Sequence, residues 1–84
     1  MTATLDTVTR LAHAMRIDTM REQWLTADSG RVATEWMTHE GGWHVYLRCM
    51  LRDVTVSIDR PDRLDAWAHA LQVAMLECQM KEAV

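Results

Sequence analysis

Phenylalanine is absent from this chain of 84 residues, and lysine, proline and tyrosine occur once each. Cysteine occurs twice and glycine three times. Each scarcity excludes something. Cys49 and Cys78 have no close C-x₂-C partner, so a structural zinc site is not expected from them. They read as two reduced, buried thiols, with a Cys49–Cys78 bridge as the alternative. Gly30, Gly41 and Gly42 cannot make a phosphate-cradling loop, which needs several glycines in one turn ahead of a helix. Ser29 and Ser57 are the only serines, and neither has a nucleophile motif around it. The expectation is a protein that is not an enzyme and carries no cofactor. No apolar run approaches the roughly 18 residues that span a bilayer. Met1-Thr2-Ala3-Thr4-Leu5-Asp6 lacks the basic and apolar regions of a secretory signal, so the expected location is the cytoplasm, away from membranes. Basic residues are also in deficit: the net charge is −3, against the basic stripe that a nucleic-acid binder shows.

What remains is rich in apolar side chains, 49% of the total, which is enough for one small core. Residues 1–84 therefore read as a single domain. Four tryptophans, seven methionines and eight arginines stand out at this length. Tryptophan and arginine anchor protein interfaces, and methionine adapts to irregular partners.

Hydrophobic spacing divides the chain into five segments. From Thr4 to Thr26 the pattern is helical, with Leu5, Val8, Leu11, Ala12 and Met15 on one face. Ile17, Met20 and Trp24 lie on a face rotated by roughly 150° at 3.6 residues per turn. Either one helix buries two faces or two helices meet near Arg16–Asp18. The capping-box form of Thr19-Met20-Arg21-Glu22 favours the break. Arg31–Glu40 and Trp43–Met50 alternate as strands around Gly41-Gly42, a pair suited to a two-residue primed turn. That turn predicts Glu35 opposite Arg48, Trp36 opposite Leu47 and Thr38 opposite Val45. Trp36, Trp43, Val45, Leu47 and Cys49 then face the core, while Glu35, Met37, His39, His44, Tyr46 and Arg48 face outward. Asp53–Asp59 reads as a third strand, pairing Cys49 with Val54, Leu47 with Val56 and Val45 with Ile58. Neither Leu51 nor Arg52 suits the positive φ that a tight connecting turn requires. Pro61–Glu82 is the clearest helix, capped by Asp59, with Leu64, Trp67, Ala68, Leu71, Ala74, Met75 and Cys78 as its buried stripe. The fold class is α+β: a two-layer, three-stranded antiparallel meander packed on one face by an N-terminal helix (or two short ones) and a C-terminal helix, α-β-β-β-α.

His39-Glu40-Gly41-Gly42-Trp43-His44 is not the H-E-x-x-H metalloprotease motif, because its histidines are five apart across two glycines. In the predicted hairpin His39 and His44 become cross-strand neighbours, a minor candidate for an open metal site beside Glu40. The element order is that of the double-stranded RNA-binding domain, which resembles this chain in topology alone. That family grips phosphates with lysines at the start of its last helix. The corresponding stretch here, Asp59-Arg60-Pro61-Asp62-Arg63-Leu64-Asp65, holds three aspartates, which repel phosphates.

The remaining signal is apolar surface. Met37, Tyr46 and Met50 flank Arg48 on the outward sheet face, and Ala66, Val73, Leu76 and Met80 lie off the stripe of the last helix. Helix 19–26, with Met20 and Trp24, can cover one of these patches; otherwise they are an interface. The reading is a small stand-alone adaptor or inhibitor that binds another protein through Trp24, Met37, Tyr46, Arg48, Met50, Val73 and Leu76. Scattered acidic side chains suit a basic or nucleic-acid-handling partner. Size and composition match phage- or plasmid-borne anti-defence proteins, including CRISPR inhibitors, and a homodimer is compatible with all of this. A nucleic-acid-binding accessory protein, leaning on Arg10, Arg16, Arg21, Arg31, Arg48 and Arg52, is the rival reading.

Overall fold

Strand alternation and helical spacing resolve into five elements in the computed structural model of the chain, which describes residues 2–82 and the side chains of residues 6–82. They are α1 (Thr2–Ala27), β1 (Arg31–Met37), β2 (Trp43–Cys49), β3 (Val54–Arg60) and α2 (Arg63–Glu82). The strands form one antiparallel sheet in the order β1-β2-β3. One contiguous core joins Ile17 and Trp24 of α1 to Val45, Leu47 and Cys49 of β2, Val54 and Val56 of β3, and Trp67, Leu71, Ala74 and Cys78 of α2.

β2 and β3 pair as their alternation predicts, Cys49 with Val54, Leu47 with Val56 and Val45 with Ile58. The connecting turn closes through the Asp53 amide donating to the Met50 carbonyl at 3.3 Å. Its positive φ, 53°, falls on Asp53 rather than on Leu51 or Arg52, and aspartate tolerates that left-handed region better than either.

β1 and β2 pair differently from the prediction. Glu35 lies opposite Val45, Trp36 opposite His44 and Met37 opposite Trp43, a register three residues away from the expected Glu35–Arg48 and Trp36–Leu47 pairs. The glycines explain the slip. Thr38 and Gly42 close the hairpin, the Thr38 amide donating to the Gly42 carbonyl at 3.0 Å. The Gly42 amide in turn donates to Thr38 Oγ1 at 3.0 Å. His39, Glu40 and Gly41 form a three-residue loop, with Gly41 at φ 83° in the left-handed position such loops require. The glycine pair thus ends the turn instead of forming its centre. Gly42 answers a second demand: a Cβ there would lie 3.0 Å from the carbonyl oxygen of Arg60.

Because side chains alternate, an odd slip exchanges the two faces of β1. Trp36 leaves the core and is 49% exposed. Glu35 turns inward, where its carboxylate takes two bonds from Arg63, Nε to Oε2 at 2.7 Å and Nη2 to Oε1 at 2.8 Å. Trp67 Nε1 donates to the same carboxylate at 2.8 Å. Met37 joins the helix-facing row but, at the strand end, stays exposed.

The break expected near Arg16–Asp18 does not occur; α1 is one helix. Thr19 does not cap a second helix, because its hydroxyl donates to the Met15 carbonyl one turn back at 3.0 Å. Ile17, Met20 and Trp24 supply the packed face, and Val8, Leu11, Ala12 and Met15 are exposed; Leu5's side chain lies outside the described residues. The packed face is therefore confined to the C-terminal half of a helix about 39 Å long at 1.5 Å per residue. The radius of gyration, 14.2 Å, exceeds the roughly 12 Å expected of a compact chain this size, consistent with an N-terminal half that reaches past the core.

Asp62, not Asp59, caps α2: its Oδ2 accepts the Asp65 amide at 3.0 Å, the third-position bond that N-caps make. Pro61 precedes the helix. Ala66, expected off the buried stripe, is fully buried, and Val73 packs against the core, whereas Leu76 and Met80 are exposed.

Candidate functional site

The sheet face away from the core is built from three cross-strand rungs. They are Trp36–His44–Asp59, Thr34–Tyr46–Ser57 and Val32–Arg48–Thr55, read from β1 through β2 to β3. Strand alternation makes this row the complement of the core row, so no helix lies over it.

His44 holds the first rung together. Its ring stacks on the Trp36 indole with centroids 4.3 Å apart and planes 18° from parallel. On its other side His44 Nδ1 and Asp59 Oδ1 are hydrogen-bonded. The carboxylate fixes the imidazole, and the imidazole supports one face of the indole. Trp36 is thereby exposed and yet oriented. Arg48 is also positioned, with Nη1 donating to Thr55 Oγ1 at 2.5 Å and Nη2 to Asp53 Oδ1 at 3.2 Å. Val32 and Met50 add exposed apolar surface near Arg48.

An aspartate holding a histidine is half of a nucleophile-activating triad. Here the pair holds the ring on which the Trp36 indole stacks. His39 sits in the hairpin loop, three residues beyond Trp36, which takes its expected place as the cross-strand partner of His44. Among the described residues no group of three His, Cys, Asp or Glu side chains could hold a metal ion. A cleft of about 280 Å³ lies between the hairpin loop and the start of α2, lined in part by Glu40, Gly42, Asp59 and Pro61.

The sequence-predicted anchors separate into two groups. Tyr46 and Arg48 lie in the middle of the face and Met50 near one end; Met37, expected on this face, is exposed at the end of β1 but belongs to the opposite, helix-facing row, and Leu76 is exposed on α2. Trp24 is not a surface anchor: it is fully buried, its Nε1 donates to the Val32 carbonyl at 3.3 Å, and the Arg31 guanidinium lies 4.1 Å over its ring. Val73 is half-buried against the core. Trp36 and Val32 are the residues sequence reasoning missed. The signal for them was Thr38 ahead of His39-Glu40-Gly41, the composition of a three-residue loop ending in a left-handed glycine.

No family model, curated protein or solved structure matches this chain. No helix among the described residues is long and apolar enough to cross a membrane.

Proposed function

We propose that this protein is a small binding module, an adaptor or inhibitor, that engages another protein through the outward face of its sheet. The observation that carries this reading is Trp36: a large aromatic ring, half exposed, stacked on His44 and so held in one orientation before any partner arrives. Interface hot spots are enriched in tryptophan, tyrosine and arginine, and a rigid anchor loses little conformational entropy on binding. Tyr46 and Arg48 supply the other two types on adjacent rungs, and Val32 and Met50 extend the apolar area. Asp53 and Asp59 form an acidic border, complementary to a basic rim on the partner.

The test is capture of binding partners by the intact protein and by Trp36→Ala, Tyr46→Ala and Arg48→Ala, each with its melting curve. Partners lost with an unchanged melt support the reading. Partners retained by all three variants remove the sheet face from consideration.

One observation favours a second reading. Trp36, His44 and Tyr46 lie side by side on an open three-stranded sheet, an arrangement on which bases of single-stranded nucleic acid can stack. The negative net charge and the acidic border oppose it. Titration with a single-stranded oligonucleotide at low salt distinguishes the two, since stacking on Trp36 quenches its emission and protein recognition requires no such change.

A further inference from the structure

Cys49 and Cys78 are 29 residues apart in sequence (78 − 49) and meet in the core. Cys49 ends β2 and is fully buried; Cys78 lies one turn from the end of α2 and is almost so. Both are free thiols, near enough for Cys49 to act on the Cys78 sulfur. Their surroundings differ. Cys49 has only core around it, whereas Cys78 lines a surface cleft of about 170 Å³ together with Arg31, Met75 and Glu82. That is room for several water-sized molecules.

Two guanidinium groups border the same place. Arg31 and Arg52 both act electrostatically on the Cys78 sulfur. Arg31's side chain is 7% exposed. Its Nη atoms are spoken for by Asp28 and the Trp24 carbonyl, and Arg52 pairs with Asp28 and Glu82. The Nε atoms of both arginines are nevertheless buried without a hydrogen-bond partner. Unpartnered buried donors are rare in folded proteins and call for an explanation. An anionic sulfur species at Cys78 would add an acceptor beside guanidinium groups whose charges are already shared with Asp28 and Glu82. Burial holds the Cys78 thiol above its ordinary range, and the two arginines act in the opposite direction. The resting form is thus the thiol, and the charges favour the species formed when it reacts.

We propose that Cys49 and Cys78 are a redox pair, in which a small peroxide admitted by the cleft oxidises Cys78 and Cys49 then closes an intramolecular disulfide. The Cys78 thiolate attacks the peroxide O–O bond and becomes a sulfenic acid, releasing hydroxide or alkoxide, which takes up the thiol proton. The Cys49 sulfur displaces hydroxyl from that sulfenic acid, the S–S bond forms, and water leaves. Overall, two thiols and hydrogen peroxide give one disulfide and two waters. The bridge ties the end of β2 to the last turns of α2 and leaves the outward sheet face untouched. The inference is therefore independent of the proposed partner.

The test treats the folded, full-length protein with hydrogen peroxide, then unfolds it in an alkylating reagent and measures intact mass. The expected product is a monomer about 2 Da lighter than the reduced chain. It carries no alkyl label, returns to two labelled thiols after a reductant, and yields a Cys49–Cys78 cross-linked peptide on non-reducing digestion. Cys49→Ala removes the resolving thiol, so Cys78 is expected to gain about 16 or 32 Da instead. Two labelled thiols after peroxide treatment of the native protein would overturn the proposal. So would a covalent dimer, or oxygen added to Cys78 of the unsubstituted chain with Cys49 still free.

Discussion

Glu35 shows how one side chain can decide the wiring of a small fold. Its carboxylate receives three hydrogen bonds, two from Arg63 and one from Trp67, and so joins β1 to α2. The Arg63 bonds are the main reason its pKa lies below the ordinary carboxylate value, with Trp67, Arg63's charge and Arg21 adding to them against partial desolvation. A depressed acid pKa stabilises the fold fully above the unfolded value, about 4.5, and that contribution disappears as pH falls through the lower folded value. Thermal stability should therefore be level from pH 7 to about pH 5 and decline below it, and Glu35→Gln should shrink the decline; melting temperature against pH checks both. Glu35→Ala leaves Trp67 Nε1 and the Arg63 guanidinium without their acceptor and should cost roughly 1–3 kcal/mol in urea unfolding. Asp62 works in the same direction from the helix end. The Asp65 amide and Arg10 hold its pKa down, and Asp62→Ala should cost about 0.5–2 kcal/mol.

At the level of elements, the β2–β3 hairpin and α2 were legible and the β1–β2 hairpin was not. Val45, Leu47 and Cys49 match Val54, Val56 and Ile58 one for one across a short connection, so apolar alternation and loop length together fixed that register. β1 offers no such constraint: Arg31, Ala33, Glu35 and Met37 make one face, and Val32, Thr34 and Trp36 the other. The inward face is the more polar one, because Glu35 finds partners in α2 that lie far away in sequence, and Arg31 pairs with Asp28 in the preceding loop. Read by hydrophobicity alone, Trp36 belongs inside. The candidate site depended on that strand, which is why Tyr46 and Arg48 were found and Trp36 was not. Loop geometry supplies the decisive test. Gly41→Ala forces a side chain into φ 83° and should cost about 1–2 kcal/mol. Gly42→Ala, whose Cβ meets the Arg60 carbonyl oxygen at 3.0 Å, should also destabilise, through displacement of the hairpin from the start of α2. A two-residue turn would predict strain at both glycines and no clash with β3. Capping logic failed in α1 for a related reason. Thr19 has the right neighbours for a helix start, yet its hydroxyl is used within a continuous helix.

Across the whole molecule, packing is uneven. α1 runs beyond the core it helps to form, and residues 6–12 are all exposed, tied to the rest through the Arg10–Asp62 ion pair at 3.4 Å. Such exposed pairs contribute little. Amide hydrogen exchange should accordingly be about 100-fold or more faster over residues 6–12 than over 17–26, where Ile17 and Trp24 are locked into the core; equal protection would mean that something else covers Val8, Leu11 and Met15. The charges on the inward side of β1 have a consequence at this scale too. β1 is a terminal strand of the sheet, with its outer row of amides and carbonyls open to another chain. Any strand adding there would have to seat its own inward side chains beside Arg31 and Glu35, groups already committed to partners beneath the helices. Inward charge on a border strand is a known deterrent to ladder growth. The substitution of polarity that hid Trp36 from sequence reasoning therefore also guards the molecule against stacking into fibrils, while its aromatic surface stays exposed.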